Sequence, residues 1–405
     1  MQGMQFNLSL AKAGVLKSAG AANPALFYDS RFSLVKLAEV PEPQLPGTDW
    51  VKVKTSACGF CGSDLNLIFL RESLTASPFS TFPSVMGHEM CGRVESVGSA
   101  VRGVQPGDLV TVSPILDCKP RGVSPVCSAC AAGIPSSCEN FARGRFAPGM
   151  FMGVCKDVGG GFAPFFVAHE SQVYVLPEGT ADEEGALLEP FCVGLSAVLG
   201  NTPKDSDKVL VVGGGVIGNM VVRALRALGI GCRITVSEPA SHAAEFCRVS
   251  GADHIIEDGD VIKNSPLLTG ATSYKPIWGR NILMGGFDRI FDTVGSSDTL
   301  NASLRCLAAG GTLSVVGIGD SVKLDLTPFW LKNQKAVGVL GYGFHTFEGK
   351  SRHVFEIAVG LLAAKKVALR DLCTHRFALS EYKEMIAVNV AKGRNRAMKT
   401  VVTFT

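Results

Sequence analysis

The segment KVLVVGGGVIG at residues 208–218 limits the fold of this chain more than any other part of its sequence. It is an apolar strand that runs into a glycine-rich turn, and residues 219–228 then show the apolar spacing of a helix. In this order Gly213 permits a tight turn, Gly215 lets backbone amides approach a pyrophosphate, and Gly218 lets the helix lie close to the strand. The motif predicts an α/β domain that binds a dinucleotide at a helix N-terminus.

The next predicted strand, residues 233–237, ends in an acidic residue, Glu238, 20 residues after Gly218. A carboxylate there can accept hydrogen bonds from the adenosine ribose hydroxyls and would repel a 2′-phosphate, which favours NAD over NADP. The alternative is an ordinary solvated glutamate at a strand end. The further residues that we expect to contact the cofactor are Val216, Ile217, Val294, Gly317 and Ile318.

Strand and helix patterns alternate through residues 191–341, which predicts a Rossmann domain with a doubly wound parallel sheet. Within this range, residues 259–286 fit the alternation poorly because they hold two prolines and several glycines. We expect them to form a long surface excursion.

Short strand-like runs separated by Pro and Gly turns fill residues 24–190, and they predict a compact β-barrel. The strand pattern at residues 399–405 is expected to return to this barrel, so the barrel domain would also include residues 342–405. Within that second part, residues 345–366 show a helical pattern. Residues 1–23 are expected to form an N-terminal surface extension.

Residues 58–64, CGFCGSD, and residues 87–89, Gly-His-Glu, together have the composition of half a metal site. Cys61 can supply a thiolate, His88 an imidazole nitrogen and Ser63 a hydroxyl that carries a proton, which are the components of an open zinc site. The alternative is a buried cysteine and a hydrogen-bonded core histidine.

An acidic residue inside an apolar run supplies a third candidate for this site. Glu189 lies in the segment ALLEPFCVGL, residues 186–195, and a carboxylate there is costly to bury unless it is paired or bound to metal. Taken alone, it could equally be a carboxylate near the start of a helix.

A second set of metal ligands is predicted in a segment rich in Pro, Gly, Ser and Ala, which could not build a hydrophobic core by itself. Its four cysteines are Cys118, Cys127, Cys130 and Cys138. Four thiolates form a closed tetrahedral zinc site, and such a site can hold a loop in place of hydrophobic packing. A disulfide or unligated thiols are the alternative.

Residues 65–87 are unusually rich in aromatic side chains for a connecting segment. Phe69, Phe79 and Phe82 could form an apolar wall of a substrate pocket beside the metal. The alternative, for most of the segment, is a helix and a turn that pack on the barrel.

The composition excludes several classes of partner. The 405 residues carry 39 basic and 36 acidic side chains, and no dense basic block predicts nucleic acid or an anionic membrane as a partner. No apolar run is long enough to span a bilayer. The 13 cysteines, four of them spaced for metal, and the lack of a secretory signal pattern favour a reducing cytoplasm.

Taken in order, these motifs resemble the zinc-dependent medium-chain dehydrogenase/reductase family. The likeness rests on CGFCGSD (58–64), GHE (87–89), the cysteine segment (118–138), the sequence LEPFCVG (188–194), and the sequences GGGVIG and DTVG. It covers nearly all of residues 24–405.

The resemblance implies a GroES-like barrel beside a Rossmann domain, an active site in the cleft between them, and a homodimer or homotetramer. Glu189 stands where liver-type alcohol dehydrogenases carry a cysteine, so the chain is similar to the polyol and threonine dehydrogenase branch. In that branch Glu89 can also bind or approach the metal, which leaves Glu89 and Glu189 as alternative zinc ligands.

Two features depart from the family pattern. Eight residues separate Cys118 from Cys127 where the family usually has two, so Cys118 departs from the family spacing of this set. Asn66 stands where polyol enzymes commonly show a histidine, and the segment after it is apolar.

The predicted activity is a zinc-dependent transfer of hydride between a secondary alcohol, apolar or cyclic, and NAD. Zinc would lower the pKa of the alcohol and Ser63 would pass its proton outward. A polyol, sugar or threonine dehydrogenase is the alternative within the family. Outside it stand a zinc-independent quinone or enone reductase and a nucleotide-binding protein without catalysis.

Overall fold

The computed structural model describes residues 1–318 and 321–404, and their contacts divide into two compact units. The catalytic unit comprises residues 1–189, 342–363 and 368–405. The nucleotide unit comprises residues 190–341 and 364–367. The boundary after Glu189 falls inside one long helix. Within residues 1–318 and 321–404, none of the helices combines the length and the apolar composition that a membrane span requires.

The helices and strands are numbered here in chain order. The strands are β1 (Gln2–Phe6), β2 (Val35–Glu39), β3 (Trp50–Phe60), β4 (Ser84–Val85), β5 (Glu89–Val97), β6 (Leu109–Val112), β7 (Phe165–His169), β8 (Val173–Val175), β9 (Lys208–Val212), β10 (Arg233–Ser237), β11 (His254–Ile256), β12 (Thr272–Tyr274), β13 (Ile282–Met284), β14 (Phe287–Asp292), β15 (Leu307–Val315), β16 (Lys335–Gly338), β17 (Phe344–Phe347), β18 (Lys350–His353), β19 (Cys373–Phe377) and β20 (Lys399–Thr403). The α-helices are α1 (Leu10–Ala19), α2 (Gly62–Ile68), α3 (Ser128–Ala131), α4 (Asp182–Gly200), α5 (Val216–Ala227), α6 (Ser241–Ser250), α7 (Val261–Thr269), α8 (Ser297–Cys306), α9 (Thr327–Leu331), α10 (Val354–Ala363), α11 (Tyr382–Val390) and α12 (Lys392–Asn395).

The main sheet of the catalytic unit has the strand order β19-β20-β3-β5-β6-β8, and β7 also pairs with β3. Most neighbours are antiparallel, as the short strands and tight turns predicted. Strand β20 lies antiparallel to β3, with Val402 opposite Cys58. The expected return of the last strand to the barrel is therefore confirmed.

The first residues are part of the fold, so the expectation of a surface extension is wrong for them. Strand β1 lies between β2 and β4, and Met4 and Phe6 on it are fully buried in the core of the catalytic unit. Helix α1 follows and buries Leu16. A strand this short, without a turn signal in front of it, gave no recognisable period.

The nucleotide unit has six parallel strands in the order β11-β10-β9-β14-β15-β16. This order confirms the predicted doubly wound sheet, and it reverses direction between β9 and β14, where such folds bind nucleotides. The expected excursion at residues 259–286 is instead structured. It holds helix α7 and the β12–β13 hairpin, and Leu283 of that hairpin is fully buried.

The helix expected over residues 345–366 begins later than predicted. Strands β17 and β18 form a hairpin first, and helix α10 starts at Val354. The turn between the strands needs two left-handed residues, Glu348 with φ 49° and Gly349 with φ 74°. A glycine at such a position ends a helical pattern.

Candidate active site

Three predicted ligands meet at one end of the main sheet. Cys61 directly follows β3 and is the N-cap of α2, while Glu89 begins β5 and pairs with Gly59 on β3. The Cys61 sulfur, a ring nitrogen of His88 and a carboxylate oxygen of Glu89 all lie within 4.8 Å of one another. His88 and Glu89 are buried, and Cys61 is partly exposed. The pairing of β3 with β5 thus brings together residues that are distant in sequence.

Asp64 is a site residue that the sequence analysis missed. It lies in the first turn of α2, where one carboxylate oxygen accepts a hydrogen bond from the Cys61 backbone N–H at 2.9 Å. The other oxygen lies 3.7 Å from Nδ1 of His88. An acidic residue three positions after an N-cap is a recognised capping pattern, so Cys61 and Asp64 carried a signal that could have been found.

Two further groups surround the His88 ring. The Ser63 hydroxyl lies 3.4 Å from Nε2, and Ser63 itself is half-buried, so it can contact both the site and solvent. The ring of Phe151 lies 5.3 Å from the His88 ring, centroid to centroid. Phe151 was not among the predicted residues because its segment carries no periodic pattern.

Glu89 forms a buried ion pair with Lys399 on β20. The Lys399 ammonium also donates to the carbonyl of Phe60 at 3.1 Å. Gly59 makes room for this pair, because a Cβ at that position would lie 1.9 Å from Oε2 of Glu89. The partner of Glu89 is 310 residues away in sequence.

Glu189, in helix α4, is also buried, and its carboxylate accepts a hydrogen bond from the hydroxyl of Tyr342. Burial raises the pKa of Glu189 to about 7, although His88, Tyr342 and Lys399 act in the opposite direction. Of the two glutamates, Glu89 belongs to the group of ligand atoms within 4.8 Å. Each glutamate thus has its own buried partner.

The charges around His88 oppose the effect of burial. Burial by itself lowers the pKa of this imidazole, but the Asp64 carboxylate and the Cys61 thiol raise it, and the net pKa lies well above the ordinary value. The site therefore favours a positive charge at this position. A bound metal cation would satisfy the same negative groups.

The four cysteines of the second predicted site are brought together, and Cys118 is one of the group. The sulfurs of Cys118, Cys127, Cys130 and Cys138 all lie within 4.8 Å of one another. Those of Cys118 and Cys138 are 3.6 Å apart. The eight-residue spacer after Cys118 folds so that this sulfur reaches the others.

Several N–H groups point at these sulfurs. The backbone N–H groups of Glu139 and Asn140 donate to Cys127 at 3.4 Å and to Cys138 at 3.3 Å, and the Asn140 side chain donates to Cys118 at 3.3 Å. Burial tends to raise the pKa of Cys127, but such donors lower it to about 7. Donors of this kind stabilise thiolates, which are the form that binds metal.

The donor sets of both clusters match the chemistry of zinc. Four thiolate sulfurs are the ligands of closed structural zinc sites. A thiolate, an imidazole and a carboxylate are the mixed ligands of catalytic zinc sites, which keep one position open. Both clusters therefore fit the metal that the sequence predicted.

In the nucleotide unit, the glycine-rich turn adopts the geometry that the motif predicted. Gly213 has a φ of 91°, and Gly215 is the N-cap of α5. A Cβ on Gly218 would lie 1.9 Å from the carbonyl oxygen of Gly213, so only glycine allows this approach of helix and strand. Val216 and Ile217 form the first turn of α5 and are partly exposed.

Glu238 directly follows β10 and lies beside the turn. Its carboxylate accepts hydrogen bonds from the backbone N–H groups of Gly214 at 2.8 Å and Ala240 at 2.7 Å. It is partly exposed. The carboxylate is therefore held at the edge of the glycine-rich turn.

The remaining predicted cofactor residues follow β14 and β15. Val294 is 46% exposed, and its side chain would be 2.7 Å from a Cβ on Gly213. Gly317 packs so tightly on Thr293 that a Cβ would meet its backbone at 2.3 Å. Ile318 is exposed. These residues lie at the carboxyl ends of neighbouring parallel strands, where the switch point of the sheet is found.

The three phenylalanines predicted to wall a substrate pocket each have a packing partner. Phe69 is buried in the core, with its ring stacked on Phe27 at 4.6 Å, so its assignment to a pocket wall is corrected to core packing. Phe82 packs edge-on against Phe6 at 4.8 Å. Phe79 is 38% exposed, and its ring packs edge-on against that of Phe141 with 6.0 Å between the ring centroids. These contacts agree with the packing alternative for the segment.

Comparison with known families gives two matches that follow the two predicted domains. Residues 47–178 match the alcohol dehydrogenase GroES-like domain, and residues 216–356 match the zinc-binding dehydrogenase domain. The predicted GroES-like and Rossmann folds are thereby confirmed.

Individual relatives agree with these matches. A probable diacetyl reductase ((R)-acetoin forming) of Saccharomyces cerevisiae is 30% identical, over 80% of this chain and 78% of its own length. Sorbitol dehydrogenase of Macaca fascicularis is 26% identical, over 86% of this chain and 88% of its own. A structure of a putative zinc-binding dehydrogenase from Sinorhizobium meliloti, bound to NADP, is 26% identical with a TM-score of 0.71, covering 91% and 95% of the two chains.

The chain belongs to the zinc-dependent medium-chain dehydrogenase/reductase family. It is an oxidoreductase that acts on alcohol groups with zinc and a nicotinamide dinucleotide. The alternatives outside this class, a zinc-independent reductase and a protein without catalysis, are not favoured by these matches.

Proposed function

We propose that this protein is an NAD-linked dehydrogenase of secondary alcohols whose catalytic zinc is held by Cys61, His88 and Glu89, with Glu189 as the alternative carboxylate ligand. The observation that carries the proposal is the group of one sulfur, one ring nitrogen and one carboxylate oxygen within 4.8 Å. We further propose that the four-cysteine cluster holds a structural zinc.

The protein side chains would divide the chemical work between them. Asp64 faces Nδ1 of His88 and favours a proton there, which leaves Nε2 with a lone pair for the metal. Ser63 would take the alcohol proton at Oγ and pass it toward solvent, since its hydroxyl is next to His88 and half-buried. Bound zinc would lower the pKa of the alcohol, and bound NAD would accept the hydride.

Lys399 would tune this site through Glu89. Its ammonium neutralises that carboxylate in a buried place, where an unpaired charge is costly. The same contact holds Glu89 on the β20 side of the cluster. Tyr342 would orient Glu189 in the corresponding way from its own segment.

The cofactor assignment rests on Glu238. Its carboxylate follows β10 beside the glycine-rich turn, where it can accept the ribose hydroxyls of NAD and would repel the phosphate of NADP. The structure from Sinorhizobium meliloti binds NADP. In Glu238→Ala we expect the ratio of kcat/KM for NAD over NADP to fall at least about tenfold. An unchanged ratio would contradict the role of Glu238.

For the substrate, we propose an apolar or cyclic secondary alcohol. The supporting observation is the aromatic ring of Phe151 beside His88, which replaces the three phenylalanines of the sequence prediction as the apolar wall. A polyol or sugar is the second candidate, because sorbitol dehydrogenases are among the relatives. A polyol would need polar partners at that wall.

The test is NADH formation on a panel of alcohols with zinc-loaded protein. The panel compares cyclic and apolar secondary alcohols with sorbitol, other polyols and threonine. Turnover of the apolar set, reduced by Phe151→Ser, would support the proposal. Turnover of polyols alone would contradict it and favour the second candidate. Turnover of none of them would remove the secondary-alcohol assignment altogether.

We also infer a homo-oligomer built on strand β16. This strand is the outer strand of the parallel sheet, and all four of its residues are exposed. Trp330 and Leu340 nearby are 77% and 44% exposed. A second copy of β16 could pair with this edge and cover these side chains. If Val337→Arg leaves the sedimentation coefficient unchanged, the interface lies elsewhere.

A cytoplasmic location is supported by the cysteines. All 13 are free thiols in the structure, including the pair Cys118 and Cys138 at 3.6 Å. Thiols this close persist in a reducing compartment or under a bound metal. Microscopy of a tagged protein that found it in an oxidising compartment would contradict the inference.

A further inference from the structure

Arg121 is a fully buried arginine in the spacer that separates Cys118 from Cys127. The guanidinium has five N–H groups, and each of them donates to a main-chain carbonyl. The five acceptors are Leu116 at 2.9 Å, Arg143 at 2.9 Å, Phe146 at 3.1 Å, Ala147 at 3.1 Å and Gly149 at 2.5 Å. A single side chain thus joins the start of the cysteine segment to the loop at residues 143–149.

These acceptors lie next to the segment that carries Phe151. Residues 115 and 151 form an antiparallel bridge. The flanking hydrogen bonds run from Leu116 N–H to the Met150 carbonyl and from Met152 N–H to the Pro114 carbonyl, both at 2.9 Å. The two bridged segments, residues 114–116 and 149–152, are the arms of a frame around Phe151. Arg121 binds the carbonyl of Leu116 on the first arm and the carbonyl of Gly149 on the second. It therefore closes the frame that presents Phe151 to His88.

The charge of Arg121 has to be balanced, because a buried charge without compensation destabilises a fold. Its hydrogen-bond acceptors are all neutral carbonyls. The carboxylate of Asp157 acts on it electrostatically, and so do Cys155, Cys138 and Cys118 when they are thiolates. Zinc held by four thiolates would carry two net negative charges, so the loaded cysteine site supplies a counter-charge beside Arg121.

We propose that Arg121 is a positioning residue that connects the four-cysteine site to the substrate wall: its guanidinium fixes both arms of the frame and thereby holds Phe151 against His88. The proposal rests on the proposed role of Phe151 as that wall. The cysteine site then contributes to substrate selection as well as to stability. Loss of the five guanidinium hydrogen bonds of Arg121 would release the Phe151 ring while the zinc ligands Cys61 and His88 stay in place.

The test uses Arg121→Lys, which keeps the charge but loses the planar fork and two of the five donors. It is compared with Phe151→Ala, the double variant, and Arg143→Lys as the control. Arg143 is exposed in the same loop, so its replacement should change nothing. All proteins are purified with zinc and checked for two zinc ions per chain. If Arg121→Lys does not yield soluble protein, Arg121→Gln takes its place.

The first readout is the ratio of kcat/KM for cyclohexanol over 2-propanol. Arg121→Lys should lower this ratio about tenfold, close to the effect of Phe151→Ala, and the double variant should be no worse than Phe151→Ala alone. Non-additivity of this kind shows that Arg121 acts through Phe151. A wild-type ratio in Arg121→Lys, or losses that multiply in the double variant, would overturn the proposal.

The second readout does not depend on activity. Trypsin should cleave the loop after residues 143 and 145 at least about tenfold faster in Arg121→Lys, and a colorimetric chelator should withdraw the structural zinc faster. Equal rates overturn the proposal. If the wild type oxidises neither alcohol, the proposed function fails, and cleavage and zinc release still decide whether Arg121 holds the frame.

Discussion

The cluster of Cys61, His88 and Glu89 lies at the end of two paired strands of a sheet, whereas the four cysteines lie in a segment that has little regular structure of its own. The first cluster is surrounded by buried charged residues, and both glutamates near it have protein partners. The second is surrounded by backbone N–H groups that point at sulfur. The difference teaches that metal ligands can relate to a fold in two ways. In the first cluster the paired strands position the ligands, and in the second the ligands can position the loop that carries them.

This comparison predicts that loss of a ligand has opposite consequences at the two sites. Cys61→Ser should lower kcat/KM about a thousandfold with little change in thermal stability, because the sheet holds the remaining residues in place. Cys127→Ser should lower the unfolding midpoint by roughly 5–10 °C and release one zinc ion per chain. The measurements are steady-state kinetics, calorimetry and metal analysis of both variants. An unstable Cys61→Ser, or a fully stable Cys127→Ser, would remove the distinction.

The two glutamates sharpen the comparison within the first cluster. In zinc-free protein, Glu89→Gln leaves the buried Lys399 ammonium without its counter-charge, and the free energy of unfolding should fall by about 3–5 kcal/mol. Glu189→Gln keeps an acceptor for the Tyr342 hydroxyl, so it should fall by only about 1 kcal/mol. Denaturant unfolding of the two variants measures both. Glu95→Gln, an exposed change on β5, is the control, and equal losses for the two buried glutamates would show that Lys399 does not depend on Glu89.

The last expected effect is absent at neutral pH and concerns pH on the cysteine side. His353 lines a cavity of about 160 Å³ together with Cys130 and Tyr174. Burial, with His345 and Lys119 nearby, lowers the pKa of His353 to about 4. Below pH 6.5 the folded state thus binds fewer protons than the unfolded state. This histidine therefore does not change the free energy of unfolding above pH 6.5, and it lowers that free energy as the pH falls toward 4.

By pH 4 the loss should reach about 3 kcal/mol, and His353→Phe should lack it. Unfolding curves of the two proteins between pH 4 and pH 7.5 measure the difference. The curves should be parallel above pH 6.5 and diverge below it. Parallel curves over the whole range would mean that His353 becomes protonated in the folded state as easily as in the unfolded one.

Much of the fold and part of the site could be predicted from sequence because their signals are local. The glycines at 213, 215 and 218 and the spacing from Cys127 to Cys130 are read within a few residues. Strand and helix alternation then gives the parallel sheet. The first strand, Gln2–Phe6, was missed because its burial depends on pairing with strands about 30 and 80 residues later.

The remainder of the site could not be read locally. Lys399 meets Glu89 across 310 residues, and Tyr342 meets Glu189 across 153. The sequence pattern around Lys399 does not indicate its partner, and neither does the pattern around Tyr342. The sequence predicts the aromatic wall in its most aromatic segment, whereas the ring beside His88 belongs to Phe151, which backbone and Arg121 hydrogen bonds hold in place.

The antiparallel pairing of β20 with β3 has a consequence for how the enzyme comes into being. Cys61 and His88 are synthesised early, but the strand that completes their sheet and carries Lys399 is made more than 300 residues later. A nascent chain therefore holds two zinc ligands beside an open sheet edge and an unpaired Glu89 throughout most of its synthesis. The sheet edge beside these ligands is covered, and Glu89 gains its lysine partner, only after β20 has joined β3.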